Sequence, residues 1–210
     1  MLSPRRLTIA ATGLLLATAL AACGTDDAST GQAGAGSTSS STAAATSDRA
    51  ADIAFAQLMI PHHQQALEMA QLATGKATTA DVKRLAGQIE AAQDPEIRTM
   101  KGWLSAWDAP QQMPGATASG GSMDHSGHDM GGMSSQGMMT AEDMARLSAA
   151  GGDDFDSTWL EMMIRHHEGA ITMADQVLTT TKDPEVTTLA NAVRTGQRAE
   201  IDQMRQLLAR

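Results

Sequence analysis

Residues 59–70 read MIPHHQQALEMA, and residues 163–174 read MIRHHEGAITMA. Four of the chain's six histidines lie in these two stretches. The pairs are 104 residues apart, and the same offset aligns their flanks without a gap. Asp52 meets Asp156, Phe55 meets Trp159, Val82 meets Val186, and Leu85 meets Leu189. Further on, Gln93 meets Gln197, Glu96 meets Glu200, and Met100 meets Met204. Residues 52–104 share sixteen identities with 156–208, so the chain carries a duplicated unit rather than a solenoid period.

Each unit reads as two helices. Apolar residues recur at three and four positions, which predicts helices over about 49–74, 79–107, 154–180 and 184–209. Asp183-Pro184-Glu185 supplies a helix start. Alternating β-branched runs are missing and aromatics are only 2% of the chain. Two antiparallel hairpins close most economically into an all-α four-helix bundle, here over residues 48–210. A short extra helix is expected at 141–149, capped by Thr140 with Asp143 three residues on. Pro61 removes a backbone donor and is expected to kink the first helix, whereas Arg165 holds the matching place in the second unit.

The N-terminus reads as a targeting segment. Arg5 and Arg6 precede an apolar run from Leu7 to about Ala22, the layout of a secretory signal and too short for a comfortable membrane span. Leu20-Ala21-Ala22-Cys23 resembles the bacterial lipobox, and Cys23 is the only cysteine. Residues 1–22 are therefore expected to be a lipoprotein signal peptide, with Cys23 acylated and tethered to a membrane outside the cytoplasm. With that cysteine committed, no internal disulfide staples the domain, and stability must come from packing. Without Arg5 and Arg6 the formal charge moves from −9 to −11, which argues against a nucleic-acid partner. Residues 23–47 are Gly, Ala, Ser and Thr with few large apolar groups, and read as a flexible tether. Residues 109–139 read as a disordered linker between the halves.

A helical wheel locates the histidines. At 100° per residue, Phe55, Leu58, Met59, His62, His63, Ala66, Met69 and Ala70 share an arc of about 140°, the width of a buried face. His62 falls near its centre and His63 at its edge. The second unit repeats this with Met163, His166, His167 and Met173. On the partner helices, Gln93, Glu96 and Met100 share the apolar face, as do Gln197, Glu200 and Met204. A buried carboxylate without a partner costs several kcal/mol, so each glutamate is expected to work with the histidines.

Three readings compete. His62 and His166 could be core histidines bonded to Glu96 and Glu200, with the methionines filling gaps. A di-iron carboxylate site would need Glu three residues before each histidine, but Met59 and Met163 stand there. Imidazole with thioether instead matches copper, and Cu(I) favours methionine. The linker supports this last reading. Residues 123–133 read MDHSGHDMGGM, followed by Met138 and Met139. His125, His128, Met123, Met130 and Met133 lie in a polar, Gly-rich tract whose methionines have no evident core to fill, a metal-binding composition.

The doubled MI-x-HH-x-x-A-x-x-MA motif, with the DPE starts and FDSTWLEMMIRHHEGA, resembles a bacterial family catalogued as domain of unknown function 305. The resemblance covers about residues 48–210. It implies an exported ferritin-like bundle, with copper binding in some members. It also implies Met59, His62, His63, Met69, Met163, His166, His167 and Met173 as ligands. Glu96, Glu200, Met100 and Met204 are added from the wheel.

The expected function is a membrane-anchored extracytoplasmic protein that binds Cu(I) and/or Cu(II) for sequestration, tolerance or delivery, with an unidentified donor or acceptor protein. A copper-dependent oxidase of the bundle type is the enzymatic alternative. A structural or interaction domain with incidental histidines is the other. Catalytic residues and an organic cofactor are not expected, since no Ser-His-Asp order, phosphate loop or CxxC is present.

Overall fold

The structure, a computed structural model, describes residues 39–113 and 136–210, with side chains from Arg49 onward. The described residues form five helices: α1 (Ser39–Lys76), α2 (Ala80–Ala106), α3 (Ala141–Ala149), α4 (Asp153–Leu178) and α5 (Pro184–Leu208). α1 and α2 form one hairpin, α4 and α5 the other, and α1 packs along α4. This is the expected all-α four-helix bundle of two duplicated hairpins, with α3 as the extra helix.

Local chemistry sets the helix ends. Thr79 accepts from the Val82 amide and starts α2. Thr140 and Asp143 form a reciprocal capping box on α3. Asp183 accepts from the amides of Glu185 and Val186, with Pro184 in the first turn of α5. Gly152 has φ +61°, a left-handed conformation that turns the chain from α3 into α4. Asp156 reaches the other hairpin and accepts from the Thr78 and Thr79 amides, both at 2.9 Å.

One expectation is corrected. α1 begins at Ser39, inside the segment read as a tether. That stretch is rich in alanine, and extending an existing helix costs far less than nucleating one. α1 also runs without interruption through Pro61, as α2 does through Pro95.

The core has two apolar clusters. The first joins the C-terminal half of α1, the N-terminal half of α2, the start of α4, the end of α5, Leu147 and Met139. The second joins the start of α1, the end of α2, the C-terminal half of α4 and the start of α5. The two hairpins are therefore antiparallel and related by a pseudo-twofold axis. On each long helix buried polar residues fall between the clusters, namely His62 and His63, Gln93, His166 and His167, and Gln197, while Asp52, Gln57 and Asp156 are buried elsewhere. A polar layer divides the bundle at mid-height. No described helix is long and apolar enough to cross a membrane.

Candidate metal centre

The wheel separates the two histidines of each motif by 100°, and the bundle uses that difference. The central residue of each pair faces the other hairpin. The rings of His62 and His166 lie 3.7 Å apart between centroids and are tilted by 39°. The edge residue faces the partner helix of its own hairpin. His63 Nε2 donates to Glu96 Oε2 at 2.8 Å, and His167 Nε2 donates to Glu200 Oε2 at 2.8 Å. This corrects the sequence-based pairing, which gave the glutamates to His62 and His166. Glu96 and Glu200 are also not fully buried, with side-chain exposures of 19% and 15%. Each carboxylate keeps an edge in water while holding a wholly buried imidazole, which avoids the cost of an isolated buried charge.

His62 Nε2 lies 3.1 Å from the Gln136 carbonyl oxygen. A carbonyl only accepts, so Nε2 carries the hydrogen and Nδ1 carries the lone pair. The same reasoning fixes His63 and His167 against their carboxylates. The Nδ1 atoms of His62, His63, His166 and His167 are all buried and make no hydrogen bond among the described residues, nor does His166 Nε2. Imidazole held at one nitrogen by a carboxylate, with its other nitrogen free, is the arrangement that orients histidine ligands at metal sites.

Burial, followed by the nearby His63, pushes the pKa of His62 down to about 3 against the opposing Gln136 carbonyl bond. Burial, followed by His62, holds His166 well below the ordinary imidazole value, with the His62 backbone opposing slightly. Both rings are neutral at physiological pH, as ligation requires. Proton competition at His62 therefore sets in near pH 3 rather than near 6.5, as an unperturbed histidine would give. The metal-free protein carries the corresponding penalty. Between pH 6.5 and about 3 the unfolded chain binds a proton at position 62 and the folded chain does not, and the shift at His166 has the same sign. Stability is therefore full above 6.5 and falls as the pH drops through that window, by up to about 1.4 kcal/mol per unit for each such histidine. Urea midpoints at pH 7, 5.5 and 4.5 are expected to fall steadily, and His62→Leu is expected to flatten the trend.

The motif methionines divide between the two apolar clusters. Met69, Met163 and Met204 fall in the first apolar cluster; Met59, Met100 and Met173 fall in the second. Each cluster thus draws thioethers from both halves and lies against one side of the polar layer. Among the described residues, no three of His, Cys, Asp and Glu are grouped closely enough to hold a metal ion. The His62 and His166 rings are tilted by 39°, and each glutamate already accepts an imidazole hydrogen. Of the linker residues and the anchor, His125, His128, Met123, Met130, Met133 and Cys23 lie outside the described residues.

The two ends of the expected linker are ordered against the bundle, which corrects its 109–139 boundaries. Gln57 Nε2 donates to the Pro110 carbonyl at 2.7 Å. At the other end, Gln65 binds both backbone groups of Met139, at 2.9 and 2.7 Å. Met139 is 8% exposed and packs in the first cluster, so it does have a core to fill. Gly137, at φ +79°, crosses α4 directly over Gly169. These residues form a strap whose carbonyl holds His62. Sequence reasoning missed Gln65, Gln136, Gly137 and Gly169. The available signal was a break in the repeat, because Gln65 and Gly169 are counterparts yet differ in size and polarity. It also gave no role to Gln93 and Gln197. Their amides are 1% and 4% exposed and have no hydrogen-bond partner among the described residues.

A family model described as "Domain of unknown function (DUF305)" matches residues 52–208. Among curated proteins, none matches. Solved structures do. A DUF305 fragment from Deinococcus radiodurans is 30% identical, with a TM-score of 0.64, covering 76% of this chain and 95% of its own. A DUF305 protein from Streptomyces coelicolor, provisionally named as secreted, is 30% identical with the same TM-score, covering 76% and 92%. CopM in its Cu(II)-bound form is 33% identical with a TM-score of 0.61, covering 75% and 95%.

Proposed function

Because this chain belongs to the DUF305 family, we propose that it is an extracytoplasmic copper-binding protein that sequesters or delivers the metal. Solved structures of CopM, 31–33% identical over about three quarters of this chain, hold Cu(I), Cu(II) and silver. The observation that carries the reading is the set of four buried imidazoles whose Nδ1 atoms have no hydrogen-bond partner among the described residues. Leaving such groups unpaired costs roughly 1–3 kcal/mol each, and the cost is offset when they bind an ion. The donor chemistry fits copper. Imidazole accepts either oxidation state, and the thioethers on both sides of the layer favour Cu(I).

In this proposal His62, His63, His166 and His167 are the nitrogen donors. Met59, Met69, Met100, Met163, Met173 and Met204 are the sulfur donors. Glu96 and Glu200 hold the outer rings. Loading requires the His62 and His166 rings to turn out of contact, since stacked rings cannot share an ion. The segment bearing Met123, His125, His128, Met130 and Met133 would capture ions before they enter. Cys23 would tether the protein to a membrane, a reading supported by Leu20-Ala21-Ala22-Cys23 and the apolar run before it.

The test is anaerobic titration with Cu(I) against a competing chelator, repeated with silver. Glu96→Gln together with Glu200→Gln is expected to weaken binding by about 10–100-fold, the usual cost of losing the groups that orient metal-bound histidines. An unchanged affinity would refute the role assigned to the two carboxylates. No saturable binding by the unaltered protein would refute the copper reading itself.

A further inference from the structure

The duplication makes the bundle nearly twofold, and α3 breaks that symmetry. α3 lies in the groove between the C-terminal half of α1 and the N-terminal half of α4. Its Leu147 is fully buried there and Met144 packs beside it. Lys76 Nζ donates to the Ser148 carbonyl, pinning the end of the helix. The 104-residue offset carries this groove onto a second one, between the N-terminal half of α1 and the C-terminal half of α4. Ala54 stands for Thr158, Phe55 for Trp159, Leu58 for Met162, and Gln176 for Leu72. The second groove holds an apolar cavity of about 280 Å³. Among the described residues, no helix covers it as α3 covers the first.

We propose that this second groove docks an amphipathic helix of about two turns from a partner protein, with apolar side chains three residues apart as Met144 and Leu147 are. The molecule itself shows what a groove of this shape holds. Each chain has one α3 and two equivalent grooves, so pairing copies of the chain leaves the ratio unchanged. Residues 24–38 contain no Leu, Ile, Val, Phe or Met, and in 114–135 the two methionines three apart, Met130 and Met133, enclose Gly131-Gly132, so neither has the composition of such a helix. The rim specifies the partner further. Lys76, Glu161 and Arg165 stand beside α3, and their counterparts are Thr180, Gln57 and Pro61. A neutral rim selects by apolar fit, so the partner's helix is uncharged where it meets the rim. Ala51 and Ala54 are small and let its backbone come close. Met173 lines the groove, so the seated helix would touch a candidate copper donor.

The test needs no metal, so its failure and that of the copper reading are distinguishable. A synthetic peptide of residues 140–150 serves as the probe against the isotopically labelled full chain, read by NMR. Saturable amide shifts confined to 51–58 and 173–180 are expected, with affinity lowered at least about tenfold by Leu58→Glu, which puts a charge in the apolar groove. Ala54→Leu, which fills the cavity, is expected to do the same without a charge. Absence of saturable shifts up to millimolar peptide would overturn the proposal. So would shifts around α3 instead, binding that appears only after residues 114–135 are deleted, or a dimer that occupies the groove and that Leu58→Glu dissociates.

Discussion

Copper and silver affinity is expected to fall at least about 100-fold in a chain carrying both His62→Leu and His166→Leu, while the metal-free protein melts no lower than its parent. The two effects have one cause. The rings sit 3.7 Å apart at the bundle centre, 2% and 0% exposed. His166 has no hydrogen bond at either nitrogen. Leucine has similar volume and no polar atom, so it removes buried unpaired groups and leaves no large cavity; the one bond given up, from His62 to the Gln136 carbonyl, is at a part-exposed residue where water can replace it. Such replacements are often neutral or stabilising. The metal loses two central donors, one from each hairpin. Competition titration and calorimetry on the same preparations check both halves of the expectation. A raised melting temperature with undiminished affinity would mean that the ion binds elsewhere. A lowered melting temperature would mean that the histidines are structural.

Gly169→Ala is expected to destabilise the protein by about 2–4 kcal/mol, although alanine is the better helix former. A β-carbon at this position would lie 1.9 Å from the Gln136 carbonyl oxygen and 2.8 Å from the Gly137 Cα. Both are backbone atoms and cannot swing away. The strap must lift from α4, giving up the Gln136 bond to His62, the paired bonds between Gln65 and Met139, and the burial of Met139. Gly196→Ala is the control. A β-carbon there meets nothing within 4 Å, so a gain of up to about 1 kcal/mol is expected from helix propensity alone. Urea unfolding of the two variants should move in opposite directions. A stabilised Gly169→Ala protein would show that the strap is loose and does not hold His62.

The repeat, the helices and the buried stripe were legible because each depends on residues close in sequence. Period-three-and-four spacing predicts the hairpins. Thr140 with Asp143, and Asp183 with Pro184, set helix starts through atoms a few residues apart. Composition alone failed at Ser39, where an alanine-rich stretch continues a helix already formed.

The sequence by itself determined that four helices bury two histidine–methionine stripes, because periodicity fixes which face of a helix is apolar. It also assigned the histidines to that face. Only the tertiary structure decided what each ring touches. His62 meets His166 because α1 crosses α4, and His63 meets Glu96 because α2 flanks α1. The strap over Gly169, and the filling of one groove but not its twin, belong to the same class. These contacts join residues from different helices and loops, and no spacing within one helix records which neighbour will lie across from it.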